Sequence, residues 1–529
     1  MAKTGGTKLK ILMCTSELVP FAKTGGLADA VSSLSAALTG LGHEVKIVMP
    51  RYYAINRDKL KRLEGALGVP MAGGEEWSAV YKTNLPSAAE EAVSGTDLPA
   101  GDKEAVKPVE VYLIEHEGFF GRDGIYGSPF EPDFLDNPRR FAFFCRACFQ
   151  LCRKIGWYPD IIHAHDWPAA LAPVFLRYSE KYRSVESSGG HSESGDTGSF
   201  EKTASVLTIH NLGYQGIYSK DSFFYTGLGW DVFYQAGFDD WNMMNFLKAG
   251  INSAGKINTV SPNYARETLS QAGGFRLDGP LRCREQDYSG ILNGIDTTVW
   301  NPAADKHLPA PYSAEDLSGK AKAKKALQRA YGLPETAKVP IIGMICRLTE
   351  QKGIGELFGP SYGSAFSLCL NMNLQFVLLG AGEAWAEHEI SNLSSRLTNF
   401  RAYIGYDEEL SHLIEGGSDF FLMPSRYEPC GLNQMYSLAY GTIPIVRNTG
   451  GLADTVQNYN QQTGEGTGFM FDYLSPSSIY DTVGWAVWAW YNKKNHIKQM
   501  RLRGMKQDFS WTKSALEYTE LYRKALAGR

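Results

Sequence analysis

Arg347 and Lys352 stand in Ile345-Cys-Arg-Leu-Thr-Glu-Gln-Lys-Gly353, directly after a strongly apolar run. A guanidinium that forks onto two oxygens and an ammonium that acts as a point charge suit a diphosphate. A solvated charged turn is the plainer alternative. Glu428 lies in Arg426-Tyr-Glu-Pro-Cys-Gly-Leu432, again just past an apolar run that ends at Met423-Pro424. A carboxylate between a tyrosine and a Pro-Cys-Gly turn is well set for a ligand, although helix capping is its commonest structural use. In Asp160-Ile-Ile-His-Ala-His-Asp-Trp167, His163 and His165 share one face of a strand-like run. Two imidazoles and Asp166 there could form half a metal site, but no partner motif stands out, and hydrogen bonding to a substrate hydroxyl is the better reading. His210, in Thr208-Ile-His-Asn-Leu212, ends a further apolar run and could flank the same place.

The hexapeptide Thr-Gly-Gly-Leu-Ala-Asp occurs twice, at Thr24–Asp29 and Thr449–Asp454. Each copy follows an apolar run and leads into a helix-like stretch. Paired glycines let a backbone approach a ligand closely, and the amides opening a helix favour an anion. One such loop is an ordinary strand–helix turn. Two identical loops in matching contexts predict two similar domains facing a phosphate-bearing ligand in one cleft. The turn Gly380-Ala-Gly382 hints at a dinucleotide fingerprint but lacks the third glycine, Trp385 taking its place, so nicotinamide binding has weak support.

These residues need strands to carry them. Leu9–Met13, Glu44–Val48, Val109–Ile114, Ile161–His165, Val206–Ile209 and Lys256–Val260 read as strands, separated by amphipathic stretches such as Leu27–Leu41 and Asn137–Ile155. A second series runs from 339–345 through 374–379, Phe400–Ile404, 419–423 and 443–446. Strand–helix alternation predicts parallel sheets covered on both faces, with ligands beyond the carboxyl ends of the strands. The expected architecture is α/β, two Rossmann-like doubly wound domains facing a deep cleft. Its parts are residues 1–300, a linker at 301–335, a second domain at 336–508, and a helix at 509–529 returning to the first. Residues 72–107 read as a surface excursion around one hairpin, and 182–203 as a flexible Ser/Gly-rich loop.

The bulk numbers exclude several classes. A chain of 529 residues exceeds one typical core, and 43% hydrophobic with 21% charged residues describes an ordinary globular protein. A net charge of −4 gives no reason to expect nucleic acid or an anionic membrane as partner, and no apolar run is long enough to span a bilayer. The start of the chain lacks a signal-peptide core, so a cytoplasmic location is expected, a plastid one after loss of a transit peptide being the alternative. Eight cysteines make no disulfide scaffold. Cys145, Cys148 and Cys152 fall on one helical face beside Phe141 and Phe144, which predicts a buried apolar stripe and not a metal motif.

Taken in order, Lys23–Asp29, His163–Trp167, Val260–Arg266, Ile291–Thr297, Trp300–Pro302, Arg347–Gly353, Glu428–Leu432 and Thr449–Leu452 resemble the bacterial glycogen synthase and plant starch synthase family. The resemblance runs from about residue 9 to residue 520. It implies a GT-B glycosyltransferase that moves glucose from ADP-glucose to the non-reducing end of an α-1,4-glucan with retention of configuration. It implies no cofactor and no metal: Arg347 and Lys352 would neutralise the diphosphate and the leaving ADP. Glu428 would hold the transferred glucose and its developing positive charge, and His165 its 6-hydroxyl. Lys23 and the amides of Gly25 and Gly26 would contact donor phosphate or sugar. Tyr406 would stack on adenine. The Cys430-Gly431-Leu432 turn, Thr449 and Gly450 would complete the donor contacts. Glu17, Asn245 and Asp136 match positions on the acceptor side. A homologue that binds or primes glucan without turnover, and a transferase using UDP-glucose, remain as alternatives. A pyridoxal-dependent phosphorylase is disfavoured by length and by the absence of its cofactor-lysine motif.

Overall fold

The computed structural model describes residues 7–86, 108–128, 130–180, 199–360 and 363–528. The chain divides into two units, each built on its own main sheet. The first comprises residues 1–260, 265–294 and 511–529, the second 261–264 and 295–510.

In the first unit, apolar runs become buried strands in the order β1 (Lys10–Cys14), β2 (Glu44–Pro50), β3 (Lys61–Arg62), β4 (Leu67–Met71), β5 (Gly74–Asn84), β6 (Glu110–Glu115), β7 (Ile161–His165) and β8 (Ala204–Ile209). Then follow β9 (Ile217–Ser219), β10 (Asp239–Asp240), β11 (Met243–Asn245), β12 (Lys256–Thr259) and β13 (Tyr288–Gly290). The main sheet runs β13-β12-β8-β7-β1-β2-β6-β5-β3. It is parallel from β13 through β6, with β5 and β3 added antiparallel. β1, β2, β6, β5 and β3 build outward to one side and β7, β8, β12 and β13 to the other, so the order reverses between β1 and β7, while β10, β11 and β9 form a separate small sheet. A crevice opens beyond the carboxyl ends of strands at such a reversal.

The stretch expected as a surface excursion is in part structural: Ala79–Asn84 of β5 pairs with β6 and extends the sheet, while its first half pairs with β4. Ser78, Val80 and Tyr81 are buried in it, and this burial outweighs its polar composition. Residues 87–107 of that stretch, and residues 182–198, lie outside the described residues. Helix Asn137–Lys154 is buried along most of its length, including Cys145, Cys148 and Cys152. All eight cysteines are free thiols. Helix Trp511–Ala527 packs in this unit against helix Gly26–Gly40.

The second unit carries a parallel sheet of β14 (Ile341–Ile345), β15 (Gln375–Gly380), β16 (Phe400–Ile404), β17 (Phe420–Met423), β18 (Ile443–Arg447) and β19 (Phe469–Phe471). Its order is β16-β15-β14-β17-β18-β19, so the reversal falls between β14 and β17. Residues 301–335, anticipated as a linker, belong to this unit. The helix Ser318–Ala330 packs on helix Glu408–Gly417, and its Lys324 pairs with buried Asp419 at 2.7 Å. Burial of Leu308, Tyr312 and Ala323 against Tyr440 supplies the reason. No helix among the described residues is long and apolar enough to cross a membrane.

Candidate active site

In the first unit the chain leaves β1 at Cys14 and turns through Glu17, whose side chain is buried. The Glu17 carboxylate accepts from Thr24 Oγ1 at 2.7 Å, from the Gly25 amide at 3.2 Å and from Tyr126 Oη at 2.7 Å. Glu17 therefore occupies one of the amides that the sequence assigns to a phosphate, and serves as the internal anion of the first glycine loop. Gly26 opens the helix that follows. Lys23 pairs with Asp29 at 2.9 Å while remaining half exposed, a surface pair that a stronger anion could displace. Tyr126, within Gly124-Ile-Tyr-Gly127, was not singled out by the sequence. An aromatic hydroxyl set among glycines was the available signal.

Across the reversal, β7 pairs with β1 and ends at His165. His163 is held on both sides, Nδ1 2.9 Å from Tyr522 Oη and Nε2 2.5 Å from Thr208 Oγ1, so neither nitrogen is left for a metal. His165 Nδ1 lies 3.1 Å from His210 Nε2, and His165 Nε2 is buried with no hydrogen-bond partner among the described residues. Burial, reinforced by His163 and His210, holds His165 well below the usual histidine range. Burial lowers His163 and His210 to about 3. Asp166 adopts φ +56° and accepts the His210 amide at 2.6 Å. Burial raises its carboxyl to about 7. The result is a neutral imidazole with one unfilled nitrogen, suited to a hydroxyl.

Asn245 and Asp136 bond to other residues. Asn245 is fully buried, caps helix Phe246–Ser253 by accepting the Lys248 amide at 2.9 Å, and donates to Gln215 at 2.7 Å. Its amide is thus spent on internal bonds. Asp136 forms an ion pair with Arg122 just before helix Asn137–Lys154.

In the second unit, Arg347 and Lys352 follow β14 and Glu428 follows β17, the two strands that flank the reversal. Lys352 Nζ is 2.6 Å from Glu428 Oε2, which also accepts from Ser425 Oγ at 2.9 Å. Glu428 is only 5% exposed, whereas Arg347 is exposed and forms no ion pair with the described residues. Cys430 is buried, and Gly431 and Leu432 are half-buried at the entry to helix Asn433–Ala439. Thr449 is buried between β18 and helix Gly450–Thr455. Tyr406, beyond β16, is 75% exposed, as a ring offered to a flat ligand would be.

The two hexapeptide copies are not equivalent. A side chain added at Gly25 would meet nothing within 4 Å. At Gly450, φ is +48° and a Cβ would lie 1.8 Å from the Glu428 carbonyl oxygen; at Gly451 it would lie 2.0 Å from that of Cys430. The Gly451 amide donates to the Glu428 carbonyl at 3.0 Å. The second glycine pair therefore lets one backbone press against the segment that carries Glu428. Asp454 of this copy accepts from Ser261 Oγ at 2.6 Å and the Asn263 amide at 2.9 Å. Close backbone approach also accounts for Gly380 and Gly382, whose Cβ atoms would lie 2.2 and 2.4 Å from the carbonyls of Cys346 and Leu348.

Two doubly wound units with polar clusters at their sheet reversals form the GT-B architecture of glycosyltransferases. Residues 10–283 match the starch synthase catalytic domain, and 327–499 match glycosyl transferases group 1. The chain is 56% identical over 518 residues to a glycogen synthase of Treponema denticola, covering 98% of this chain and 99% of that one. It is 43% identical over 526 residues to glycogen synthase 1 of Geobacter metallireducens, covering 99% and 97%. Its structure superimposes on the catalytic domain of starch synthase IV from Arabidopsis thaliana bound to ADP and acarbose, with TM-score 0.82, 30% identity, and coverage of 98% and 100%. The chain belongs to the glycogen synthase and starch synthase family of glycosyltransferases.

Proposed function

We propose that the chain transfers glucose from ADP-glucose to the 4-hydroxyl at the non-reducing end of an α-1,4-glucan, with retention of configuration. The observation that carries this reading is the Lys352–Glu428 pair at 2.6 Å with exposed Arg347 beside it in sequence. Arg347 and Lys352 would bind the diphosphate and neutralise charge on the departing ADP, worth about 3 kcal/mol each where such a donor acts in the transition state. Glu428 would take the glucose and the positive charge that develops as the glycosidic bond breaks. The unfilled Nε2 of His165 would receive the sugar 6-hydroxyl. Retention then follows a front-face course, in which the leaving phosphate accepts the proton of the attacking 4-hydroxyl.

Lys23, Gly25, Gly26, Tyr406, Cys430, Gly431, Leu432, Thr449 and Gly450 are proposed as further donor contacts. Glu17 is proposed on the acceptor side, where it acts by holding the loop of Thr24 and Gly25. The choice of adenine is supported by the 30% identity to the starch synthase crystallised with ADP. Bacterial relatives and free thiols throughout support a reducing, cytoplasmic location.

Incorporation of labelled glucose into glycogen, with ADP-glucose or UDP-glucose and with or without Mg²⁺, tests the reading. Strong preference for ADP-glucose without added metal is expected. Equal use of UDP-glucose would remove the donor assignment, and no incorporation from either would favour a glucan-binding homologue. Strict dependence on the ion would remove the charge-neutralising role of Arg347 and Lys352.

A further inference from the structure

In the second unit, a cluster that includes none of the proposed donor contacts gathers side chains of metal-ligating type. His307, Glu408 and His412 each present a ligand atom, no two of these atoms being farther apart than 4.8 Å. They come from two pieces of chain: the turn after Pro302, and helix Glu408–Gly417, on which residues four apart share a face. We propose that these three side chains form a binding site for a divalent transition-metal cation of the zinc type.

The His412 imidazole has a carboxylate at Nδ1, 2.8 Å from Asp305 Oδ2, whereas His307 Nδ1 is 3.9 Å from Glu409 Oε1, beyond hydrogen-bond reach. A carboxylate at one ring nitrogen fixes the tautomer and leaves the other nitrogen as the metal ligand. Asp305 is itself fixed, accepting from Tyr440 Oη at 2.6 Å and from the His307 amide at 2.9 Å. The His412 ring is buried and stacks on Trp300 at 3.9 Å with 5° between planes, so its rotation is restricted. Glu408 is exposed and free to turn.

Two nitrogens and one carboxylate oxygen suit zinc, cobalt or nickel better than magnesium or calcium, which prefer oxygen alone. Metal–ligand bonds of about 2.0–2.1 Å in a tetrahedron put neighbouring ligand atoms about 3.4 Å apart. Closing to that spacing takes small side-chain rotations, for which exposed Glu408 and half-buried His307 have room, and water fills the fourth position. Because Glu408 starts the helix just after Tyr406, a bound ion would tether that helix start to the turn at 305–307.

The full chain, stripped with a chelator and desalted, is titrated with Zn²⁺ by calorimetry and with Co²⁺ by absorption. One saturable site per chain is expected. His307→Ala and Glu408→Gln should each weaken it by about 10-fold or more. His412→Ala is a poor test, since its packed ring serves the fold. Bound Co²⁺ should give visible d–d bands without a sulfur charge-transfer band, which separates this site from the exposed Cys283. Unchanged affinity in both variants, a thiolate band, or no binding at roughly micromolar ion would overturn the proposal.

Discussion

Lys352 Nζ and Glu428 Oε2 are 2.6 Å apart, so the cation proposed for the donor's diphosphate and the anion proposed for its glucose are bound to each other. Donor must therefore divide this pair or share it. Glu428→Gln should release Lys352, leaving ADP affinity unchanged or tighter, while turnover falls by about 10²-fold. Lys352→Ala should lower both, and it also leaves a carboxylate with 7% side-chain exposure without its cation. ADP binding by calorimetry and kcat for each variant test this; parallel loss of ADP affinity in both would refute it.

Arg347 offers the opposite case. Exposed and without an ion pair among the described residues, it contributes little to folding. Arg347→Ala should leave stability within about 0.5 kcal/mol yet cut kcat/KM by about 10²-fold or more. Arg347→Lys should restore only part, because an ammonium cannot fork. Thermal unfolding alongside initial rates distinguishes the two effects, and normal rates in Arg347→Ala would mean that the diphosphate binds elsewhere.

The repeated hexapeptide predicts a contrast between two identical substitutions. Gly450→Ala forces φ +48° on a residue with a Cβ and drives that atom into the Glu428 carbonyl. The backbone strain alone costs about 1–3 kcal/mol, and activity should disappear with the displaced Glu428. Gly25 has extended backbone and open space beside it. Gly25→Ala should fold with at most about 1 kcal/mol lost, and its activity reports directly on whether the donor uses that spot. Equal melting temperatures for the two variants would contradict the packing role of the second pair.

Acid should destabilise the protein through its buried histidines. His163 and His210 are lowered to about 3 and His165 well below its ordinary value, all by burial. A histidine lowered in the folded state stabilises fully above its unfolded value near 6.5 and loses that contribution as pH falls toward the folded value. Asp166, raised to about 7, works the other way: its contribution is present below about 3.8 and is lost as pH rises through 7. Near pH 5 unfolding should take up a net of about two protons from these four groups. Denaturant unfolding between pH 4 and about 7 measures the slope, which His163→Gln should reduce. A slope of zero or opposite sign would contradict the burial assigned to these rings.

Strand existence was legible because the period of apolar residues is a local property. Leu9–Met13 and Glu44–Val48 are within two residues of β1 and β2, and Phe400–Ile404 is β16 itself. The motifs beside those strands were legible for the same reason, down to Arg347, Lys352, Glu428 and His165. Strand β5, which lies between β6 and β3, was missed because polar residues dominate its composition. Residues 301–335 read as a linker because their burial depends on Tyr440 and Asp419, more than eighty positions away.

The sequence by itself determined the element types, the family and the chemical inventory. Tertiary structure alone decided the strand order, since pairing between distant strands is set by long-range hydrogen bonds and burial, not by local period. That order puts the reversals at β1/β7 and β14/β17, and so joins Lys352 to Glu428 across 76 positions. It also decided what the two identical glycine loops do. A glycine is required by whatever approaches it: the Glu428 backbone at Gly450, and open space at Gly25.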